Sequence, residues 1–361
     1  MTKRVVLYCP DLPPIAGGVS DHTGALARAL AARGVDLEVL GRRGDPALLA
    51  PIACRTGITP HAVASAASGA SGVIVQYVPF LYARLGVAPS LVRAVAALRR
   101  ARLAVGVLLH EPFVPFTRLP WLVTGWPMRW QFRAIMRRAD VIWSPVPAFL
   151  ELARAAARPG TRLAVTPVGS TVAVAPVARA QARDALALGP ADVALGLFSP
   201  DASGALPGWI AAAEAAVRDL PQVVWVAFGK GSERAVDSPV GGARVLRLGW
   251  LSPERISHVF QALDVSLAPF VDGLTLRRTS AMTALAHGIP LVSSRGHLFD
   301  PALAGAAACE RTPEEFGATV RALVTDPDRR RALGAAALAF YRDHASVDVL
   351  AARVAADVAA W

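Results

Sequence analysis

The sequence predicts an α/β protein made of two doubly wound, parallel-sheet halves, on three observations. Short apolar runs rich in β-branched residues alternate with helical stretches along most of the chain. That alternation restarts near residue 190, after a Pro/Gly/Ser/Thr-containing stretch at 166–176. A length of 361 residues also exceeds the ~250–300 at which single cores stop growing. A single (β/α)₈ barrel is the alternative, but the restart and a wholly helical final segment of roughly 50 residues count against it.

The elements follow in order. Residues 4–9 read as a buried strand ended by Pro10, and a loop with Pro13, Pro14, Gly17 and Gly18 follows. Ser20 is placed as the N-cap of a helix with Asp21 in its first turn, running to about Arg33 and stopped by Gly34. Further strands are expected at 35–40, 73–76, 103–109, 141–143 and 163–165. In the second half a helix at about 178–187 leads to a strand at 193–198, a loop at 199–207 and a helix at 208–219. The next strand, 223–228, ends at Gly229-Lys230-Gly231, and others are expected at 244–248, 265–268 and 289–293. Ser252-Pro253-Glu254 reads as a helix start: a cap, a proline at the first position and an acid in the first turn.

Composition narrows the function. Lysine and arginine total 38 against 27 acids, a net charge of +11, and only Lys3 and Lys230 are lysines. This balance favours anionic partners such as phosphorylated metabolites or acidic lipid surfaces. Nucleic acid is disfavoured, because the arginines are scattered and no recognised binding module appears. Cys9, Cys54 and Cys309 are odd in number and far apart, which fits a reducing cytosol and neither a disulfide framework nor a metal site. The N-terminal apolar run spans only residues 5–9, too short for a secretory signal, and no uncharged apolar stretch reaches 18 residues. The expected location is the cytoplasm, with contact at the inner face of a membrane as the one extension.

Parallel sheets bind ligands at the carboxyl ends of their strands. Loops at such ends occupy 10–20, 110–127, 199–207, 229–231 and 269–278. Gly17-Gly18 before a helix permits close backbone approach and offers a helix N-terminus to an anion, or is a plain tight turn. His110 and Glu111 follow a strand directly, placed to touch a substrate or move a proton. Asp272 and Gly273 end a strand, and Arg277, Arg278, Thr279 and Ser280 open a helix ended by Gly288. Guanidiniums and hydroxyls at a helix start suit a diphosphate without a metal, since cations there oppose the macrodipole unless an anion is bound. Asp326-Pro327-Asp328 imitates a metal signature but reads as a helix cap. The run 115–138 holds Trp121, Trp126 and Trp130 with Arg129, Arg133, Arg137 and Arg138. It is either an amphipathic helix with a buried apolar face or a surface for an anionic membrane or an apolar acceptor.

These residues resemble the retaining GT-B glycosyltransferases that use nucleotide-sugar donors (glycosyl transferases group 1, family 4 type). The resemblance runs through Pro14, Gly17-Gly18-Val19, His22 and Arg33-Gly34, then His110-Glu111, 139–142 and 167–169. It continues through Phe228-Gly229-Lys230-Gly231, Gly249-Trp250-Leu251 and the block from Asp272 to Val292. It implies two facing Rossmann-like domains, 1–170 for the acceptor and 171–343 for the nucleotide sugar, with a C-terminal helix, 344–361, crossing back to the first. The implied activity moves a sugar from a UDP- or GDP-sugar to an acceptor hydroxyl with retention and without a metal or other cofactor, in carbohydrate or natural-product biosynthesis. The acceptor is a carbohydrate, a lipid-linked molecule or a small molecule. His110, Arg277 and Arg278 would be catalytic. Gly17, Gly18, Ser199, Gly229, Lys230, Leu251, Asp272, Gly273, Leu274, Thr275 and Thr279 would hold the donor, and Asp21, His22 and Glu111 the acceptor. The chain departs from the family pattern at two places. A pair of glutamates eight residues apart is replaced by Thr275 and Thr283, and 199–207 lacks the usual arginine and lysine. Leaving-group charge would then fall to Arg277, Arg278 and Lys230. Two rival readings stay open: a sugar-nucleotide epimerase or isomerase on the same fold, and a weakened nucleotide-sugar-binding subunit.

Overall fold

Strands whose side chains are buried along their whole length need cover on both faces, and the runs Val5–Tyr8, Gly72–Tyr77 and Val223–Phe228 are of this kind. A computed structural model describes residues 4–15, 17–114, 119–199, 206–232 and 243–361. Residues 200–205 of the expected 199–207 loop and residues 115–118 of the aromatic and basic run, like Lys3, lie outside the described residues.

The described chain divides into two compact units. The first comprises Met1–Pro167 with Val347–Trp361, the second Val168–Ser346. The first holds β1 (Val5–Tyr8), β2 (Leu37–Leu40), β3 (Ala53–Arg55), β4 (Gly72–Tyr77), β5 (Ala104–Leu109), β6 (Val141–Ser144) and β7 (Arg162–Val165). All its pairings are parallel, in the order β3-β2-β1-β4-β5-β6-β7. The second holds β8 (Val193–Phe198), β9 (Val223–Phe228), β10 (Arg244–Arg247), β11 (Val265–Ala268), β12 (Leu291–Ser294) and β13 (Ala308–Glu310). These are also parallel, in the order β10-β9-β8-β11-β12-β13. Each sheet reverses its strand order once, between β1 and β4 and between β8 and β11. Such switch points are where open parallel sheets leave a crevice for ligands.

The edge strands β3 and β13 are absent from the expectation. Each has three residues, too few to show an alternation, and β3 is largely exposed. The helix after β1 also differs. It spans Gly18–Ala32 with Gly17 at the N-cap, so Ser20 lies inside the first turn and does not cap it. The Ser20 hydroxyl is buried without a hydrogen-bond partner. The helix thus starts three residues earlier than expected, with Gly17 and Gly18 facing open space. Ser252 and Asp326 do cap their helices, accepting from the backbone N–H of Arg255 and Arg329.

The Val347–Val358 helix closes the first unit. Leu350, Ala351, Val354 and Val358 join the core with Leu26, Leu30 and Trp143. The Trp143 indole donates to Asp357 at 2.7 Å, and Arg162 pairs with the same carboxylate. The ring of Trp361 lies against Gly72 and Gly106, where a Cβ would sit 2.3 Å and 3.1 Å from it. Those two glycines therefore keep β4 and β5 open to the ring.

Candidate active site

In the first unit, the switch-point crevice gathers a buried polar chain. His22 sits in the second turn of the Gly18–Ala32 helix, Gln76 near the end of β4, and His110 directly after β5. All three are buried. Gln76 Nε2 donates to His22 Nδ1 at 3.3 Å, and His110 Nε2 donates to Gln76 Oε1 at 2.6 Å. The two imidazoles meet edge to face, with centroids 4.9 Å apart. One amide thus sets both tautomers: His22 carries its proton on Nε2, and so does His110. Burial pushes the His22 pKa down to about 4, so its ring is neutral at physiological pH. Of the other residues expected here, Gly17, Gly18 and Asp21 are exposed at the start of the helix, and Glu111 is exposed beside His110. Gln76 was hidden in the sequence at the end of an apolar strand. A lone amide in such a strand is the signal that could have found it.

In the second unit the loops after β8, β9 and β11 carry the expected residues. Ser199 takes a left-handed conformation, φ 46°, and its N–H bonds to the Phe228 carbonyl. Gly229 has φ 80°, and a Cβ there would sit 2.4 Å from the Ser199 hydroxyl. Only glycine lets these two turns touch. The Gly229 N–H bonds to Gly249 O at 2.7 Å, which brings the exposed Lys230 and the half-buried Leu251 onto adjoining turns.

After β11, Asp272 accepts from Arg277 through one carboxylate oxygen and from Arg278 through the other. All three side chains are at least four-fifths buried. The Arg278 guanidinium also lies 4.5 Å over the Phe270 ring. The two cations are thus half neutralised, leaving one net positive charge where the Thr279–Ala286 helix begins. Gly273 has φ 90° and passes so close to Gly296 that a Cβ would be 2.4 Å from its nitrogen. The loop is further held by Leu274 N–H to Ser294 O and by Asp300 N–H to Leu274 O.

The two threonines at the positions of the family's glutamates differ in use. Thr275 is fully buried, and its hydroxyl has no partner. The Thr283 hydroxyl is committed to Thr279 O and to the Ser170 hydroxyl at 3.0 Å, and it packs inside the unit. Thr279 itself is half-buried at the helix start. His287, two turns on, is held by Ser257 and Thr283 O, and burial lowers its pKa.

Comparison with known proteins agrees with this architecture. Residues 211–356 match the family model described as glycosyl transferase-like. No curated protein matches the chain. Among solved structures, sucrose-phosphate synthase from Thermosynechococcus elongatus superposes with a TM-score of 0.71 at 17% identity, over 99% of this chain and 98% of that one. Anabaena HepE, in complex with UDP and glucose, gives 0.70 at 14% identity over 99% and 100%. A UDP-N-acetylglucosamine 2-epimerase (putative in its description) from Listeria monocytogenes gives 0.63 at 14% identity over 99% and 96%. The fold is thus that of the GT-B glycosyltransferases. Residues 211–356 of this chain carry the glycosyl transferase-like match.

Proposed function

We propose that the protein transfers a sugar from a nucleotide diphosphate donor, a UDP- or GDP-sugar, to an acceptor hydroxyl, with retention and without a metal. The observation that carries this reading is the Asp272–Arg277–Arg278 cluster at a helix start beside the Ser199–Gly229 crossing. A diphosphate outcompetes one carboxylate for two guanidiniums, because it offers more charge and two oxygens to each fork. As the sugar–phosphate bond ionises, Arg277, Arg278, Lys230 and the helix N–H groups take up the growing charge. The Thr275 hydroxyl, buried and unpartnered, is the group a bound donor would satisfy. His110, with its tautomer set by Gln76, meets the sugar, while Asp21, His22 and Glu111 serve the acceptor, which attacks from the face the phosphate leaves. That acceptor is a carbohydrate, a lipid-linked molecule or a small molecule. The compartment is the cytoplasm, with peripheral contact at the membrane's inner face. Three free cysteines, two of them buried, support it.

A second reading, a binding subunit without turnover, is favoured by one observation: the Thr283 hydroxyl is spent inside the unit, on Thr279 O and the Ser170 hydroxyl.

A thermal-shift screen with UDP, GDP, dTDP and ADP, with and without Mg²⁺, tests donor binding. At one hundred times its Kd a ligand adds ~2.7 kcal/mol. Nucleotide release from the matching donor then separates transfer from binding alone. Arg278→Ala should lower turnover about a hundredfold or more, by analogy with the loss of one oxyanion donor. Unchanged turnover would remove Arg278 from the leaving-group site. A shift without release, with any acceptor, would establish the second reading.

A further inference from the structure

The Leu119–Met136 helix carries apolar side chains on both its inward and its outward faces. Met128, Gln131, Phe132, Ile135 and Met136 are buried, and Gln131 ties the helix to the 86–88 turn through Ala88 N–H and Gly86 O. The outward stripe carries Val123, Trp126 and Trp130, exposed by 76%, 68% and 60%, and ends in the exposed Arg133 and Arg137. Phe80 and Leu85 are exposed on the segment packed beside Met128. Five of the ten large apolar side chains exposed among the described residues thus lie in one region. A monomer rarely leaves such a patch to water.

The charge is gathered in the same stretch. Between Asp45 and Asp140 the sequence holds eleven arginines and one acid, Glu111. This stretch therefore supplies ten of the eleven net positive charges of the whole chain. Arg84, Arg93, Arg100, Arg102, Arg133 and Arg137 are all exposed.

We infer that the outward face of the Leu119–Met136 helix, with Phe80 and Leu85, is a membrane-docking surface selective for anionic lipid. Tryptophans settle at the boundary of headgroups and acyl chains, and arginines at one end of the stripe meet the phosphates. A second copy of this chain fits worse, since its own arginines would be pressed against these. The inference stands on the surface alone and does not depend on sugar transfer.

Flotation of the full chain with vesicles tests it. The protein should float with vesicles containing about one-third phosphatidylglycerol, stay behind with pure phosphatidylcholine, and be released by high salt. Arg133→Gln and Arg137→Gln should each weaken partitioning about fivefold. Trp126→Ser with Trp130→Ser should abolish flotation while the melting temperature holds, because both side chains are exposed. Equal flotation with both vesicles, no flotation, or variants that bind like the parent would overturn the inference. So would a dimer in ultracentrifugation that the double tryptophan variant splits.

Discussion

Gln76 shows what a single amide can decide. Between His22 and His110 it fixes two tautomers at once, and burial keeps the His22 ring neutral down to about pH 4. The unfolded chain, with an ordinary imidazole at 6.5, takes up a proton between those values that the folded chain refuses. Stability is therefore whole above about pH 6.5 and falls as pH drops towards 4, by at most ~1.4 kcal/mol per pH unit for this residue. His287, also lowered by burial, adds a slope of the same sign. Urea midpoints measured from pH 7 to 4.5 should flatten in His22→Gln by the His22 share, and an unchanged slope would show that His22 does not titrate this way. At this scale the sequence was legible where chemistry follows order along the chain. Asp272 and the two arginines are near neighbours there, and they do meet. It was silent where the partner is remote: a separation of 54 positions from His22 to Gln76, or of 113 from Ser170 to Thr283, leaves no local mark.

Among elements, those buried on both faces could be read most directly, because a central parallel strand must be apolar throughout. β1, β4, β5, β8, β9 and β11 stand close to where their runs suggest, whereas β3 and β13 are pairings made by neighbours rather than by their own residues. The Leu119–Met136 helix was half legible. Its period is helical, but which face turns inward depends on Gly86 and Gln131, which the helix's own pattern does not report. The β8 and β9 turns make a sharper case. Gly229→Ala would push a methyl onto the Ser199 hydroxyl at a left-handed φ, so a loss of about 1–3 kcal/mol is expected. Thermal melting measures it. A drop under about half a kcal/mol would mean that the two turns separate freely.

At the scale of the molecule, the restart near residue 190 marked the two sheets. Residues 347–361 complete the first unit, a return that the family resemblance implies and that the helix's own residues do not, since a helix's packing partner is not written in its own sequence. Leu350, Val354 and Val358 are each worth ~1.5–3 kcal/mol when buried, so their removal takes away as much as a typical domain's whole margin. A chain ending at residue 346 should lose the cooperative melting of the first unit while the second unit's transition survives. A deletion that melts like the parent would mean that the helix is dispensable.

The same closure has a mechanical meaning. The second unit is inserted within the first, so tension applied between β1 and the Val347–Val358 helix is carried wholly by the first unit. The second bears no load until that helix peels away, taking the Trp143–Asp357 bond and the Trp361 ring with it. Forced unfolding of this chain therefore begins in the first unit, of which the last helix is a part.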